Sequence, residues 1–544
     1  QGEKKEIIFI IGECGDYETA LALARTYTGK KAAEESLSKA REYWSNVTGQ
    51  LKINTPDAAF NLMMNGWLLY QIISCRIQAR TAFYQNGGAY GFRDQLQDTL
   101  ALLHSRSDIT RQQILRCASR QFKEGDVQHW WHHDSGKGVR TRITDDLLWL
   151  PYTTAVYIRA TGDLSILHEE VNFIEGEELS PEEKEKYTIP KISEEKASVY
   201  HHCLRAIARA LKFGEHGLPL MGAGDWNDGM NSVGDEGKGE SVWLAWFLYK
   251  VLKDFAPVCR MMGEPDKAEM FEKTAEGIVE NVEQHAWDGE WYIRAFFDNG
   301  EPLGSRQNDE CRIDSVSQTW SVLSGGGDRE RAHKAMDSLY KYLVREEDRL
   351  IMLLTPPFDK SKPDPGYIKG YLPGVRENGG QYTHAAVWAI MAFASLGMKE
   401  VAYRLYNMIN PVTHAQNFAD TMKYKQEPYV VCADVYSTYP HAGRGGWSWY
   451  TGSASWMYQA GVEYILGIRR EKDMLYLKPV IPQEWKNFSF TYRYGGTRYI
   501  VDVFNPKGEG AQEVEIIIDG RKLQGNGIKM TDDGADHFVM VTLN

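Results

Sequence analysis

From about residue 57 to residue 467, apolar residues recur at helical spacing, and this repeat limits the possible folds more than any other feature of the chain. The spacing predicts twelve helices, over 57–81, 92–105, 110–122, 143–162, 196–214, 240–263, 265–288, 315–324, 329–346, 381–397, 400–410 and 453–467. Ordinary punctuation bounds them. Gly162, Gly214 and Gly397 stand at helix C-termini, and Thr144 precedes Asp145-Asp146 at a start. The long intervening segments (82–91, 123–142, 215–239, 289–314, 347–380 and 411–452) follow every second helix. Six helical hairpins closed into a toroid fit that rhythm, a mainly α fold of the (α/α)6 barrel type, and would gather the long loops on one face. These loops are dense in Trp, Tyr, His, Gly and Asp, and binding residues concentrate on loops held by a rigid scaffold.

The flanks read differently. Residues 5–12 (Lys-Glu-Ile-Ile-Phe-Ile-Ile-Gly) predict a strand, the last of a sheet whose other strands lie elsewhere, because an isolated strand cannot bury its own faces. Gln1 stands where a Met would begin a chain, so the expectation is a piece of a longer protein. The predicted organisation is residues 1–14 as that remnant, 15–56 as a helical linker, 57–467 as the barrel and 468–544 as a small antiparallel β-domain. The last rests on short β-type runs at Phe488–Tyr494, Arg498–Phe504, Val514–Ile518 and His537–Leu543, broken by Gly, Asn and Asp clusters.

A formal net charge of −12 argues against a nucleic-acid partner or an anionic membrane surface, both of which need clustered Lys and Arg. The seven cysteines are scattered, without CxxC pairs or metal-ligand spacing, which predicts reduced thiols, a cytoplasmic setting and no metal site. The 16 Trp and 30 Tyr suit a sugar cleft and a large helical core equally well.

Four segments carry candidate chemistry. Gly-Ala-Gly-Asp-Trp-Asn-Asp-Gly-Met-Asn (222–231) sets Asp225 and Asp228 three residues apart, where they would face the same way in a turn. A glycosidic bond is broken by a protonated acid, and a flanking ring such as Trp226 would raise a carboxyl pKa for that task. A calcium-type loop or an N-cap cluster would carry the same letters. In residues 84–98, Arg93, Asp94 and Asp98 straddle a helix start, offering either sugar ligands or an internal salt bridge. In residues 376–388, a Gly-Gly loop leads into a helix whose first turn holds His384. In residues 443–456, Thr451, Gly452 and Ser453 open the last long helix, where hydroxyls and free N–H groups suit a phosphate oxyanion. A water-activating base, which an inverting hydrolase requires, is not evident. Phosphate arrives already anionic and needs only a cradle.

Taken together, these segments resemble the inverting phosphorylases of glycoside hydrolase family 94. Within that family they are most similar to the C-terminal phosphorylase-like region of cyclic β-1,2-glucan synthases. The strings that carry the likeness include RITDDLLWLPY (142–152), HGLPLMGAGDWNDGMN (216–231), NDECRIDSVSQTW (308–320), DPGYIKGYLPGVRENGGQYTHAAVW (364–388) and GRGGWSWYTGSASWMY (443–458). The resemblance implies an N-terminal β-sandwich, of which 1–14 would be the last strand, ahead of linker, barrel and β-domain. It implies a glycosyltransferase acting as a β-glucan phosphorylase, with inorganic phosphate as co-substrate and no other cofactor. Asp228 would be the general acid. Arg93, Asp94, Asp98, Asp225 and Trp226 would bind the donor sugar, Tyr371 and Arg376 the acceptor side, and His384, Thr451 and Gly452 the phosphate. The implied partners are a β-glucan oligosaccharide, the remainder of a membrane-associated synthase chain and a second copy in a homodimer.

Overall fold

The computed structural model describes residues 2, 4–81, 87–180, 182–508 and 514–544. Part of the predicted loop 82–91, including Tyr84 to Asn86, lies outside them. Six helices touch one another in cyclic order: Phe92–Leu100, Asp146–Thr161, Val242–Met261, Ser315–Leu323, Thr383–Ser395 and Ser453–Gln459, the last returning to the first. Each has a partner outside the ring, such as Pro265–His285 against Val242–Met261 or Lys399–Ile409 against Thr383–Ser395. The sequence dictates which helix is inner and which is outer. Thr383–Ser395 (THAAVWAIMAFAS) is apolar all round and buried over all but its last residue. Pro265–His285 buries one stripe only, Ala268, Phe271, Ala275, Ile278 and Val282.

Five inner helices each send one tryptophan to the middle of the ring: Trp149, Trp243, Trp320, Trp388 and Trp456. Trp388 packs against Trp243, Trp320 and Trp456 at centroid distances of 6.2, 5.2 and 5.6 Å. The sixth inner helix supplies Gln97, whose Oε1 accepts from Trp456 Nε1 at 3.1 Å. The middle is therefore filled. The long segments precede the inner helices, so they collect at the N-terminal mouth of the ring, where four backbone N–H groups per helix lack intrahelical partners.

Several expectations give way. Residues 5–12 form no strand: no described strand pairs with the run, and Ile7, Phe9 and Ile11 are exposed. The linker contains helices Tyr17–Tyr27 and Lys30–Gly49 and then a strand, Leu51–Asn54, which joins the edge of the C-terminal sheet against Asn487–Tyr494. The helix predicted at 196–214 begins at Val199 and ends at Ala210, because Lys191–Ser198 pairs as a strand with Glu170–Glu175. The predicted C-terminal strands lie within a residue of those observed, but Thr497–Phe504 and Asp536–Leu543 run parallel, so the sheet is mixed rather than antiparallel. A parallel pair needs a crossover, and residues 505–535 provide the length. Among the described residues no helix is long and apolar enough to cross a membrane.

Candidate active site

At the N-terminal mouth, side chains from four ring helices and the long loops converge in one polar network. Arg93, in the first turn of Phe92–Leu100, donates from Nη1 to Asp145 Oδ1 at 2.8 Å and to the Asp225 carbonyl at 2.9 Å. Its Nη2 donates to Asp228 Oδ1 at 2.5 Å. His129 approaches the same carboxylate from the other side: Nδ1 lies 2.8 Å from Asp146 Oδ2 and Nε2 3.6 Å from Asp228 Oδ2. Asp228 is the partly open member, its side chain about a third exposed, whereas Asp145 and Asp146 are buried.

Trp226 does not raise the Asp228 pKa. Burial pushes that carboxyl up, but the Arg93 guanidinium and the His129 imidazolium outweigh it and hold the group down at about 2. The ring of Trp226 turns instead toward His384 and Trp388, at 5.3 and 5.0 Å. Asp225 and Asp228 also do not face the same way. Asp225 is fully buried, and Arg294 clamps it with Nη1 to Oδ2 at 2.7 Å and Nη2 to Oδ1 at 2.6 Å. Ser241 Oγ and the Asn227 N–H also donate to it. With both oxygens engaged away from the cleft, Asp225 anchors the loop that carries Asp228 and is not available to ligate a sugar.

Arg76 divides the roles of the other two acidic candidates. It reaches Asp98 Oδ2 at 2.7 Å and Asp94 Oδ1 at 3.0 Å, which confirms that the two share a helical face. Asp98 is fully buried behind Arg76, and burial raises its pKa to about 6; Asp94 is half-exposed and faces the mouth. The donor-sugar expectation therefore fits Asp94 and not Asp98. Arg76 sits on the π-helical turn Ile72–Gln78, stacks 4.1 Å over the Tyr450 ring and is buried. π-turns of this kind recur at functional sites.

The phosphate candidates do come together. A methyl group at Gly452 would lie 3.3 Å from Asp98 Oδ1, 3.7 Å from His384 Nδ1 and 3.8 Å from Arg76 Nη2, so three side chains converge on that backbone. His384 Nε2 is buried without a hydrogen-bond partner. Desolvation pushes the imidazole down to about 3, so His384 is neutral and the cation beside Gly452 is Arg76. Thr451 Oγ1 contacts Ser453 Oγ at 2.8 Å and accepts from the Ser453 N–H at 3.2 Å, holding the helix start.

On the remaining side, the Arg376 guanidinium lies 4.9 Å from the Tyr371 ring and 3.4 Å from Glu377 Oε2. Arg376 has φ +51°, left-handed backbone that a long side chain adopts only when its surroundings enforce it. Burial raises the Glu377 pKa. The sequence reading missed Arg76, His129, Arg294 and Glu377. Only Arg76 left a signal, a cation inside the mostly apolar stretch of the predicted helix 57–81. A cavity of about 950 Å³ between Trp44, Trp67, Tyr70, Tyr429 and Trp449 has no carboxylate, imidazole or cation among its lining residues, in contrast to the charged side chains gathered at the mouth of the ring.

A mainly helical ring with acids, a clamped arginine and a buried Arg76 beside a neutral histidine at its mouth describes a carbohydrate-active enzyme domain. The chain belongs to the glycosyl hydrolase 94 superfamily: the model of its catalytic domain matches residues 43–467, and that of the glycosyl hydrolase family 65 C-terminal domain matches 468–524. It is 47% identical over 516 residues to the cyclic β-(1,2)-glucan synthase NdvB of Rhizobium meliloti, a match that covers 95% of this chain and 18% of the synthase. It is 30% identical to solabiose phosphorylase of Paenibacillus borealis, over the whole of this chain and 67% of that one. It is 23% identical to 1,2-β-oligoglucan phosphorylase of Listeria innocua, over 91% and 47%. A family 78 rhamnosidase of Bacillus sp. GL1 shares the fold, with a TM-score of 0.53 and 12% identity over 91% of this chain and 44% of the other.

Proposed function

We propose that this domain is an (α/α)6-barrel phosphorylase that cleaves β-1,2-glucan with inorganic phosphate, releasing α-glucose 1-phosphate by a single inverting displacement. The observation that carries this reading is the convergence of Arg76, neutral His384 and Asp98, whose carboxyl Arg76 engages, on the Gly452 backbone, linked through Trp226 to the loop that bears Asp228. Phosphate fits such a cradle, and Asp228 on the other side serves the leaving oxygen. The β-1,2 linkage is favoured by the likeness to the synthase. In this reading Arg93 and Asp94 bind the donor sugar, Tyr371 and Arg376 face the acceptor, and the region works as part of a larger membrane-associated chain.

Incubation with β-1,2-glucan, cellobiose and laminaribiose, each with and without phosphate, tests the reaction. α-Glucose 1-phosphate from the β-1,2-glucan alone is expected by NMR. Free glucose formed at the same rate without phosphate would make the enzyme a hydrolase, and binding without turnover would make it a glucan-binding module.

The cradle has its own test. A hydrogen bond to an anion contributes about 1.5–3 kcal/mol, so Thr451→Ala and His384→Ala should each raise the phosphate KM by one to two decades and the glucan KM much less. Because His384 is neutral from well below pH 5 upward, its contribution should not vary between pH 5 and 8. Variants that lose glucan affinity and keep a normal phosphate dependence would place both residues in a sugar subsite.

A further inference from the structure

His129 occupies a position that regular strand pairing would not give it. The strand Gln128–His132 pairs with Gly138–Thr141, with Gln128 opposite Arg140 and Trp130 opposite Val139, so the register slips at His129. A bulge leaves one residue without a cross-strand partner and re-aims its side chain. Here the side chain turns out of the sheet and between two carboxylates, Asp146 at Nδ1 and Asp228 at Nε2.

Resting on the reading of Asp228 as the general acid, we infer that His129 is the positioning residue that delivers a proton to Asp228 for phosphorolysis. Arg93 at one oxygen and His129 at the other keep Asp228 ionised, yet the acid must carry a proton when the glycosidic oxygen leaves. In the transfer the His129 Nε2–H bond breaks and an Asp228 Oδ2–H bond forms, the electron pair staying on the now neutral imidazole. Nδ1–H continues to donate to Asp146. Asp228 then gives the proton to the leaving oxygen as the C1–O bond breaks and a phosphate oxygen bonds to C1. The count closes because the ester formed from monohydrogen phosphate releases one proton near pH 7, its second pKa being about 6, and solvent returns a proton to His129. At 3.6 Å the Nε2–Oδ2 pair is slightly long, and catalytic hydrogen bonds commonly tighten once substrate seats.

The other charged groups around this pair set where the proton rests between turnovers, on His129 rather than on Asp228. Asp94 and Asp146 face His129 and stabilise its cation. Tyr367, Tyr371 and Glu377 face Asp228 from the 347–380 loop and add no cation to Arg93 and His129.

His129→Gln keeps a donor near Asp228 without a titrating proton, and His129→Asn keeps the contact to Asp146. Both should leave the KM for β-1,2-glucan within a few-fold of wild type. The kcat on glucan should fall by about 10²-fold, the lower end of what positioned proton transfer contributes, and by less than about fivefold on 4-nitrophenyl β-glucoside, whose leaving group needs little protonation. The pH profile separates relay from scaffold. In wild type kcat should hold until His129 loses its proton, whereas in His129→Gln it should climb about tenfold for each unit of falling pH, as Asp228 must take protons from solvent. A wild-type pH profile with equal losses on both substrates would overturn the relay. Asp228→Asn is measured in parallel. Wild-type turnover of glucan by that variant would overturn the general-acid reading itself, whereas an impaired Asp228→Asn beside a His129→Gln of normal profile would remove the relay alone.

Discussion

Asp228→Asn should lower kcat for phosphorolysis of β-1,2-glucan by about 10²–10⁴-fold, because the isosteric amide keeps the shape of the site and cannot give up a proton. Arg93 would still find an acceptor in the amide oxygen. The amide N–H₂, however, would face the His129 imidazolium, donor against donor, at the position Oδ2 holds 3.6 Å away. Loss of that carboxylate should lower the His129 pKa, which NMR titration of the ring can follow. An activated aryl β-glucoside should recover most of the lost rate. Equal losses on both substrates would remove Asp228 from the acid role. The same carboxylate makes a pH-dependent contribution to stability. Its pKa is about 2 in the fold against 3.8 ordinarily, so the contribution is fully present above about pH 4 and is lost as pH falls toward 2. Asp98 works in the opposite sense: its folded pKa of about 6 is above the ordinary value, so the folded form holds a proton that the unfolded chain has released, and stability declines as pH rises from about 4 through 6.

How much of this was legible in the sequence follows from the range of each interaction. Helical periodicity is local, so the inner and outer helices lie close to their predicted spans. The Trp-rich composition, which suits a cleft and a core equally, belongs in part to the filled middle of the ring, through Trp149, Trp243, Trp320, Trp388 and Trp456. The strands inside the long loops were missed because they are short and pair across wide separations, as Ala89–Gly91 does with Gln128–His132. The strand predicted at 5–12 fails for the converse reason: apolar β-type residues make a strand only where a neighbour supplies the ladder. At the site, Asp228, His384, Thr451 and Gly452 stood in compact Gly-rich strings and could be nominated. Arg76, His129 and Arg294 each act on a residue 17 or more positions away, and nothing in a string of letters marks a bulge or a guanidinium turned inward. The error over Asp225 is of the same kind. Its spacing from Asp228 implied a shared direction, and Arg294, 69 residues on, determines the opposite one.

That pair provides the largest expected stability effect. Arg294 and Asp225 are both fully buried, joined by two parallel hydrogen bonds, and a bidentate guanidinium–carboxylate pair fixes direction as well as distance. Removing one partner strands the other charge in the interior, which typically costs about 3–5 kcal/mol. Arg294→Met should be the harsher single change, because Asp314 Oδ2 lies 3.6 Å from Arg294 Nε and would then share the pocket with Asp225 as a second unneutralised carboxylate. Burial already pushes Asp314 up to about 6 while the arginine is present. One of the two acids would therefore take up a proton, so the variant should regain stability as pH falls below neutral, opposite to the trend that Asp228 contributes. Asp225→Leu alone should cost a similar amount, and the double variant Asp225→Leu/Arg294→Met less than the two singles together, since no unpaired charge of the pair remains. Denaturant midpoints of the four proteins give the coupling directly. Turnover should fall in every variant, through the loosened loop that carries Asp228, with the same factor for glucan and for an activated aryl glucoside. That equality is what distinguishes an anchor from an acid. If Arg294→Met unfolds at the wild-type midpoint, or if Asp225→Leu spares the activated substrate alone, Asp225 has a role in the chemistry that its buried geometry denies.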